Sequence, residues 1–112
     1  MDFCHFLTSY MPDPSVGSKK HFQNMIDQSI LADKLGYKTV SIPEHHLINL
    51  LMMPSPLQMA VKIATLTKSI KITTGIAVLP LHDMRTYAGD VSTADILTDG
   101  RLILGVGRGA FA

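Results

Sequence analysis

The spacing of apolar residues changes several times along the chain, and each change predicts a new element of secondary structure. Apolar residues recur at helical spacing in three stretches, at 19–35, 56–68 and 84–97. Gly36 supplies a C-terminal stop for the first helix, and Ser55-Pro56 supplies an N-cap and a first-turn proline for the second. Short apolar and β-branched runs predict four strands, at 3–7, 37–42, 70–79 and 102–106.

Strands and helices therefore alternate, which predicts an α/β fold with a parallel sheet and right-handed crossovers. Two folds share this order. A doubly wound sheet places its glycine-rich phosphate turn after an early strand, whereas the glycine cluster 105–109 follows the fourth strand and lacks the G-x-G-x-x-G spacing. A (β/α)8 TIM barrel fits the order but has about 250 residues. Residues 1–112 would then be an incomplete domain, the N-terminal half of a barrel with about four βα units. The alternation alone leaves both folds open.

The predicted strand ends bring polar residues to one edge of the sheet. The carboxyl ends of parallel strands carry the chemistry of α/β folds, because the loops that leave them converge over the sheet. Residues 8–10, 44–46, 79–82 and 107–108 would form this edge. It would hold imidazoles and a guanidinium, which can move protons or bind anions near neutral pH.

Glu44, His45 and His46 directly follow the second predicted strand. An imidazole titrates at about pH 6.5 when unperturbed, so a histidine at this edge is a candidate general acid or base. A metal site is disfavoured, because neighbouring residues of an extended backbone point to opposite sides and no second cluster of ligands completes the set. The remaining histidines are interpreted as solvated or capping side chains: His5, His21 and His82.

Two arginines, Arg101 and Arg108, stand at opposite ends of the fourth strand, about 20 Å apart at the rise of an extended chain. Arg108 lies among glycines at the carboxyl end, where a guanidinium and bare backbone N–H groups suit a phosphate; an ordinary salt bridge is the alternative. Arg101 is interpreted as a structural residue at the opposite edge. Gly75 within the third strand indicates either a kink of the sheet or a flat ligand close to the backbone.

Composition narrows the classes of partner. Of 112 residues, 46% are hydrophobic and 17% are charged, which predicts a packed core. The formal net charge of +1, without a run of like charges, indicates neither nucleic acid nor a membrane surface as partner. The single cysteine, Cys4, excludes an internal disulfide and a cysteine-based zinc site. No signal peptide or membrane-length apolar run is recognisable, so we expect a soluble cytoplasmic protein.

Several segments together resemble the bacterial luciferase-like, flavin-dependent monooxygenases, and among them the catalytic luciferase chains. The similar segments follow the family's order along most of the chain: 3–12, 35–37, 44–46, 78–82, 95–101 and 105–109. The resemblance implies a TIM barrel that binds reduced FMN, or in some branches a deazaflavin. It implies an enzyme that uses O2 to oxidise a small organic molecule such as an aldehyde or alkane. A flavin reductase as the source of reduced flavin, and a homodimer or heterodimer, are also implied.

The same resemblance assigns roles to individual residues. His45 corresponds to the histidine needed for catalysis, and Arg108 to a contributor to the flavin phosphate site. Gly75 and Ile76 fall where the family has a non-proline cis peptide bond behind the flavin ring, and Phe6 corresponds to an apolar wall of the pocket. No metal is implied.

The sequence also departs from the family's pattern. Residues 47–53 are more apolar than the family's loop, which leaves the substrate class open. The phosphate and pocket contacts from the family's second half have no counterpart in residues 1–112, so we expect this chain alone to be inactive. The alternatives are a non-catalytic flavin-binding or partner subunit of the same fold, or an inactive fragment. The intact Glu44-His45-His46 favours the catalytic type.

Overall fold

The computed structural model describes residues 1–110 and shows the predicted alternation of strands and helices. The helices are α1 (Ser18–Lys34), α2 (Pro56–Leu66) and α3 (Met84–Leu97). The strands are β1 (Cys4–Phe6), β2 (Thr39–Ile42), β3 (Lys71–Thr74), β4 (Ala77–Val78), β5 (Leu102–Ile103) and β6 (Val106–Gly107). Short 3-10 turns at Pro14–Val16 and Leu79–Leu81 precede α1 and α3. The predicted domain, 1–112, extends two residues beyond the described part.

The helices lie close to their predicted bounds, and those of α3 are the predicted ones. The predicted strand 70–79 is interrupted at Gly75, where the sequence indicates a break, and it ends at Val78. The predicted strand 102–106 is wrong as a continuous strand, because it is broken at Gly105. At the second break, the Thr74 hydroxyl donates to the Gly105 carbonyl (2.7 Å) and accepts from its N–H (2.9 Å), in place of a strand ladder. Leu79 begins a 3-10 turn rather than ending a strand, because the following Pro80 has a fixed φ and no N–H.

The strands β1, β2, β3 and β5 form a sheet in that order, and every pairing is parallel. Strands β4 and β6 pair in parallel beyond β3 and β5. The strands of this sheet thus lie side by side in the same order as along the chain, as they do in a barrel. A doubly wound sheet instead reverses its strand order beside the first strand. The doubly wound alternative is therefore wrong, and the described residues form part of a TIM barrel.

The core lies between this sheet and the helices α1 and α2. Its fully buried side chains come from both layers: Leu7, Met25, Val40, Ile42, Ile63, Ile70 and Ile72. The predicted apolar face of α2 is buried at Met59, Ala60 and Ile63, whereas α3 buries Tyr87 and Ala94 alone. In the part of the chain that the structure describes, no helix is both long and apolar enough to cross a membrane.

Arg101 joins three segments at the amino ends of the strands. Its guanidinium donates to the carbonyls of Ala64 (2.6 Å) and Ile70 (3.3 Å) and to the Thr67 hydroxyl (2.9 Å). These bonds satisfy carbonyl groups at the C-terminal end of α2, which lack partners within the helix. The predicted structural role of Arg101, at the edge away from the chemistry, is confirmed.

Asp33 makes a second connection at the same edge. Its carboxylate accepts from the backbone N–H groups of Lys68 (2.8 Å), Ser69 (3.2 Å) and Ile70 (2.9 Å) and so ties the end of α1 to the turn before β3. Partial burial raises the pKa of Asp33, but these bonds and the Ser69 hydroxyl outweigh burial and hold the pKa below its usual value. The connection therefore stabilises the fold above the carboxyl group's unfolded pKa and is lost as the pH falls through its folded pKa.

The 112-residue chain produced by itself should associate rather than remain monomeric. Among the described residues, β1 lies at one end of the sheet with an unpaired edge, and large apolar side chains are exposed on the outer strands: Phe6, Ile103, Leu104 and Val106. Unpaired edges and exposed apolar patches recruit partners, and a closed barrel removes both. Analytical ultracentrifugation with and without FMN tests this expectation. A sharp monomeric species that binds FMN at micromolar concentration would contradict it.

Candidate active site

One cavity of about 750 Å³ opens at the carboxyl ends of the strands. Its lining includes every residue that the sequence suggests for catalysis or cofactor binding: Phe6, His45, Gly75, Ile76 and Arg108. These residues come from β1, from the loop after β2, from the break between β3 and β4, and from the loop after β6. The parallel sheet thus brings together positions that are up to about a hundred residues apart in sequence, as expected for strand ends at one edge.

His45 is held by its backbone. Its N–H donates to the Met53 carbonyl (2.8 Å), and the two residues form an antiparallel bridge. Met53 is buried in the core, so the bridge fixes His45 to the rigid part of the fold while its half-buried ring lines the cavity. Residues 47–53 thereby form a loop whose end is anchored next to the candidate catalytic histidine.

The loop 47–53 is also joined to the end of β1. Met11 donates to the Leu50 carbonyl (2.7 Å), and Met52 donates to the Ser9 carbonyl (2.9 Å). The ring of His21, buried in α1, lies 3.3 Å from the Met52 carbonyl through Nε2. The interpretation of His21 as a solvated or capping side chain is wrong, because it is buried and contacts this loop.

Gly75 and Ile76 form the part of the cavity wall between β3 and β4. The bond between them is cis, as the resemblance to the luciferase-like family implies. A Cβ on Gly75 would overlap the hydroxyl of Ser41 on the neighbouring strand β2. Close approach of β2 therefore accounts for the glycine in this chain, and the break in the strand gives the kink that the sequence left as one alternative.

Arg108 stands between two glycines at the end of β6. A Cβ on Gly107 would overlap the Ile76 side chain, and Gly109 has φ +91, a conformation that side chains disfavour. Arg108 itself is exposed, and within residues 1–110 its guanidinium has no hydrogen bond or ion pair. Its charge therefore faces the cavity without an internal partner, unlike Arg101 at the opposite end of the strands.

Glu44 is a site residue to which sequence reasoning assigned no role of its own, beyond its place in the triplet Glu44-His45-His46 and a disfavoured metal site. Its side chain is 1% exposed, and it accepts from the Val78 N–H through Oε2 (2.9 Å) and from His82 Nε2 through Oε1 (2.8 Å). His46 Nε2 lies 3.5 Å from Oε2. The interpretation of His82 as merely a solvated or capping side chain is therefore wrong, because its partly exposed ring is bonded to the buried Glu44. Among the described residues, no group of three acidic, histidine or cysteine side chains could hold a metal ion.

The relation of the chain to known proteins agrees with this geometry. The sequence profile of a family described as luciferase-like monooxygenase matches residues 1–112. The chain belongs to this family. Its luciferase-like relatives include protein y4vJ of Sinorhizobium fredii, 35% identical over 97% of this chain and 31% of that protein. The oxygenase component of the flavin-dependent trigonelline monooxygenase of Acinetobacter baylyi is 32% identical over 84% of this chain and 26% of its own length.

One solved structure and one further sequence relative extend this similarity. The oxygenating constituent of 3,6-diketocamphane monooxygenase from Pseudomonas putida, solved with FMN, superposes with a TM-score of 0.92 and 26% identity over 99% of this chain and 30% of that chain. The alkanal monooxygenase alpha chain of the Kryptophanaron alfredi symbiont is also 26% identical over 99% of this chain and 31% of that protein. The resemblance inferred from sequence segments is confirmed. The chain spans less than a third of the length of these luciferase-like relatives.

Proposed function

We propose that these residues form part of the active site of a flavin-dependent monooxygenase. The enzyme would use reduced FMN and O2 to oxidise a small uncharged molecule such as an aldehyde or alkane. The observation that carries the proposal is the single cavity lined by Phe6, His45, Gly75, Ile76 and Arg108. Their assembly supports one shared binding site for a large planar cofactor and a small substrate.

The lining residues fit a flavin in two respects. Gly75, which has no side chain, and Ile76 line the cavity side by side, and Phe6, which is 54% exposed, adds an apolar wall. The guanidinium of Arg108, without a partner in residues 1–110, supplies the fork of donors that a phosphate requires. We therefore assign Arg108 to the cofactor phosphate and Phe6, Gly75 and Ile76 to its ring.

His45 is proposed as the residue that moves a proton in this cavity. The bound flavin supplies the electrons that reduce O2, so that substrate, O2 and FMNH2 give oxygenated substrate, water and FMN. The His45 ring can accept a proton from the substrate's side of the cavity or return one to it. Its backbone bridge to Met53 fixes the position from which the ring enters the cavity, which lowers the entropy lost when the reacting groups are aligned.

An apolar part of the cavity wall supports the proposed substrate class. Leu47, Ile48, Val78 and Leu81 contribute apolar side chains to the cavity. A wall of this kind binds an aliphatic chain through the area that it removes from water, and it disfavours a charged group left without a partner. An aliphatic aldehyde or alkane meets both conditions.

The name of the Acinetobacter relative, an oxygenase component, supports a separate flavin reductase as the source of reduced flavin. The FMN in the Pseudomonas neighbour, which superposes on nearly the whole chain, supports FMN as the cofactor, and a deazaflavin stays the alternative. A homodimer or heterodimer stays a prediction from the sequence.

The proposed reaction can be tested with isotopically labelled oxygen. The full-length protein that carries these residues should, with reduced FMN and 18O2, place one labelled atom in the product of a long-chain aldehyde and the other in water. The matched long-chain ammonium compound should not be oxidised, because its charge lacks a partner at the apolar wall. Release of hydrogen peroxide alone, with no labelled product from any uncharged substrate, would contradict the proposal.

A further inference from the structure

Glu44 lies in the wall of two cavities at once. It lines the 750 Å³ cavity of the candidate active site together with His46. It also lines a second cleft of about 330 Å³, which lies between the start of α2 and the helix α3 and is lined by His82. The Glu44 side chain is 1% exposed, so a buried carboxylate forms the partition between the two spaces.

An imidazole approaches this carboxylate from each cavity. His82, on the cleft, donates to Oε1 from Nε2 (2.8 Å), and His46, on the active-site cavity, holds its Nε2 3.5 Å from Oε2. The two ring centroids are 6.5 Å apart. The side chains of His46 and His82 are 36% and 22% exposed, so each imidazole reaches solvent while the carboxylate between them does not.

The helix α3 encloses the cleft end of this arrangement. The His82 ring stacks on the Tyr87 ring, with centroids 4.0 Å apart and planes inclined by 18°. Burial raises the pKa of Tyr87, and the charges of Glu44 and Asp90 raise it further, so Tyr87 stays neutral and supplies a flat surface only. The titratable groups that face the carboxylate and its partners are therefore His46, His82, Tyr87 and Asp90.

We propose that His82, Glu44 and His46 form a proton path from the outer cleft to the active-site cavity. This inference rests on the proposed function, in which the oxygen atom not transferred to substrate leaves as water. Its two protons balance the two that FMNH2 gives up overall, and the path would let protons cross between the cavity and solvent when they are gained and lost at different steps. Uptake of a proton at Nδ1 of His82 would let the Nε2 proton move to Oε1 of Glu44. Rotation of the carboxyl group and a small movement of the exposed His46 ring would then pass it to His46, which releases it into the cavity. One proton enters and one leaves.

A path through the partition has a physical advantage over entry from the mouth. A flavin and an apolar substrate would fill the mouth of the active-site cavity and exclude water, which slows direct delivery of protons. The outer cleft stays in contact with solvent regardless of what the cavity holds. Imidazole and carboxylate groups in contact can exchange protons near neutral pH, at the working range of an imidazole.

The test uses the full-length protein and the variant His82→Gln, whose amide can still donate to Glu44 but cannot carry a proton. Turnover should fall about tenfold, less than for a group at the reacting atoms, with FMN affinity unchanged. The turnover of His82→Ala should fall by a similar factor. Added imidazole should restore it, whereas pyrazole, which has the same size and is not protonated at neutral pH, should not. His5→Gln, at a histidine that contacts Gln28 outside both cavities, should leave turnover unchanged.

Three results would overturn the proton path: wild-type turnover in His82→Gln, equal rescue of His82→Ala by imidazole and pyrazole, or a loss of FMN affinity that matches the loss of turnover. A measurement without flavin separates this inference from the proposed function. In the flavin-free protein, the 15N signals of the His46 ring across a pH series should change in His82→Gln, because the path couples the two rings. Unchanged His46 signals would refute the path even if no substrate were oxidised.

Discussion

Replacing His45 with alanine should lower the rate of substrate oxidation by about 100-fold or more, the usual scale for a lost acid or base. The ring lines the candidate cavity, and its backbone is anchored to the buried Met53, so the change removes the imidazole without loosening the loop. Turnover with reduced FMN and a long-chain aldehyde, measured in the full-length protein, gives the comparison with wild type.

Two comparisons make this prediction specific, one with the variant His46→Ala and one of FMN affinities. His46→Ala should cost less than His45→Ala, because His46 would deliver a proton rather than act at the substrate. FMN affinity should be similar in wild type and His45→Ala, since the phosphate and ring contacts are assigned to other residues. Equal turnover of wild type and His45→Ala would remove this histidine from the mechanism.

Arg108→Ala should weaken FMN binding about 10- to 100-fold, which corresponds to the 1.5–3 kcal/mol contributed by a charge-assisted hydrogen bond. The guanidinium has no partner among residues 1–110 and is exposed, so its removal should leave the free energy of unfolding nearly unchanged. Fluorescence titration with FMN, together with urea unfolding, measures both quantities in the full-length protein.

Arg101→Ala is the matched control at the opposite end of the strands. Its bonds to Ala64, Thr67 and Ile70 hold the end of α2 against β3, and their loss should lower the free energy of unfolding while FMN affinity stays the same. A loss of flavin binding in Arg101→Ala but not in Arg108→Ala would mean that the two ends of the barrel have been assigned the wrong way round.

The helices and the alternation of elements could be predicted from sequence because their signals are local. Periodic apolar positions, the stop at Gly36 and the proline of Pro56 all act within one or two turns. The break at Gly75 has a local signal, the glycine itself, but the break at Gly105 could not be predicted in the same way. The Thr74 hydroxyl forms hydrogen bonds with Gly105, which lies far along the chain, so the residues next to Thr74 give no signal for this contact. Strand order is equally non-local, so the alternation alone left the fold open. The choice of a barrel came from the resemblance to the luciferase-like family, and the strand order of the structure confirms it.

The site residues at predicted strand ends could also be predicted from sequence, whereas contacts between distant segments could not. His45 and Arg108 stand at strand ends that the alternation locates, and the structure brings both to one cavity. The pairing of Glu44 with His82 was missed, because it joins the end of β2 to the turn before α3 and depends on how close those segments lie. The sequence shows that His45 and His46 directly follow Glu44. The imidazole that forms a hydrogen bond with Glu44 is that of His82, which is not a sequence neighbour.

The connections made by Asp33 and Arg101 have a consequence for protein engineering. Both side chains join successive βα units at the amino ends of the strands, far from the cavity. Variation at the opposite ends, for instance in the side chains of Leu47 and Ile48, leaves these connections untouched. A library directed at the cavity wall can therefore explore many side chains at little risk to folding, provided that Asp33 and Arg101 are kept constant.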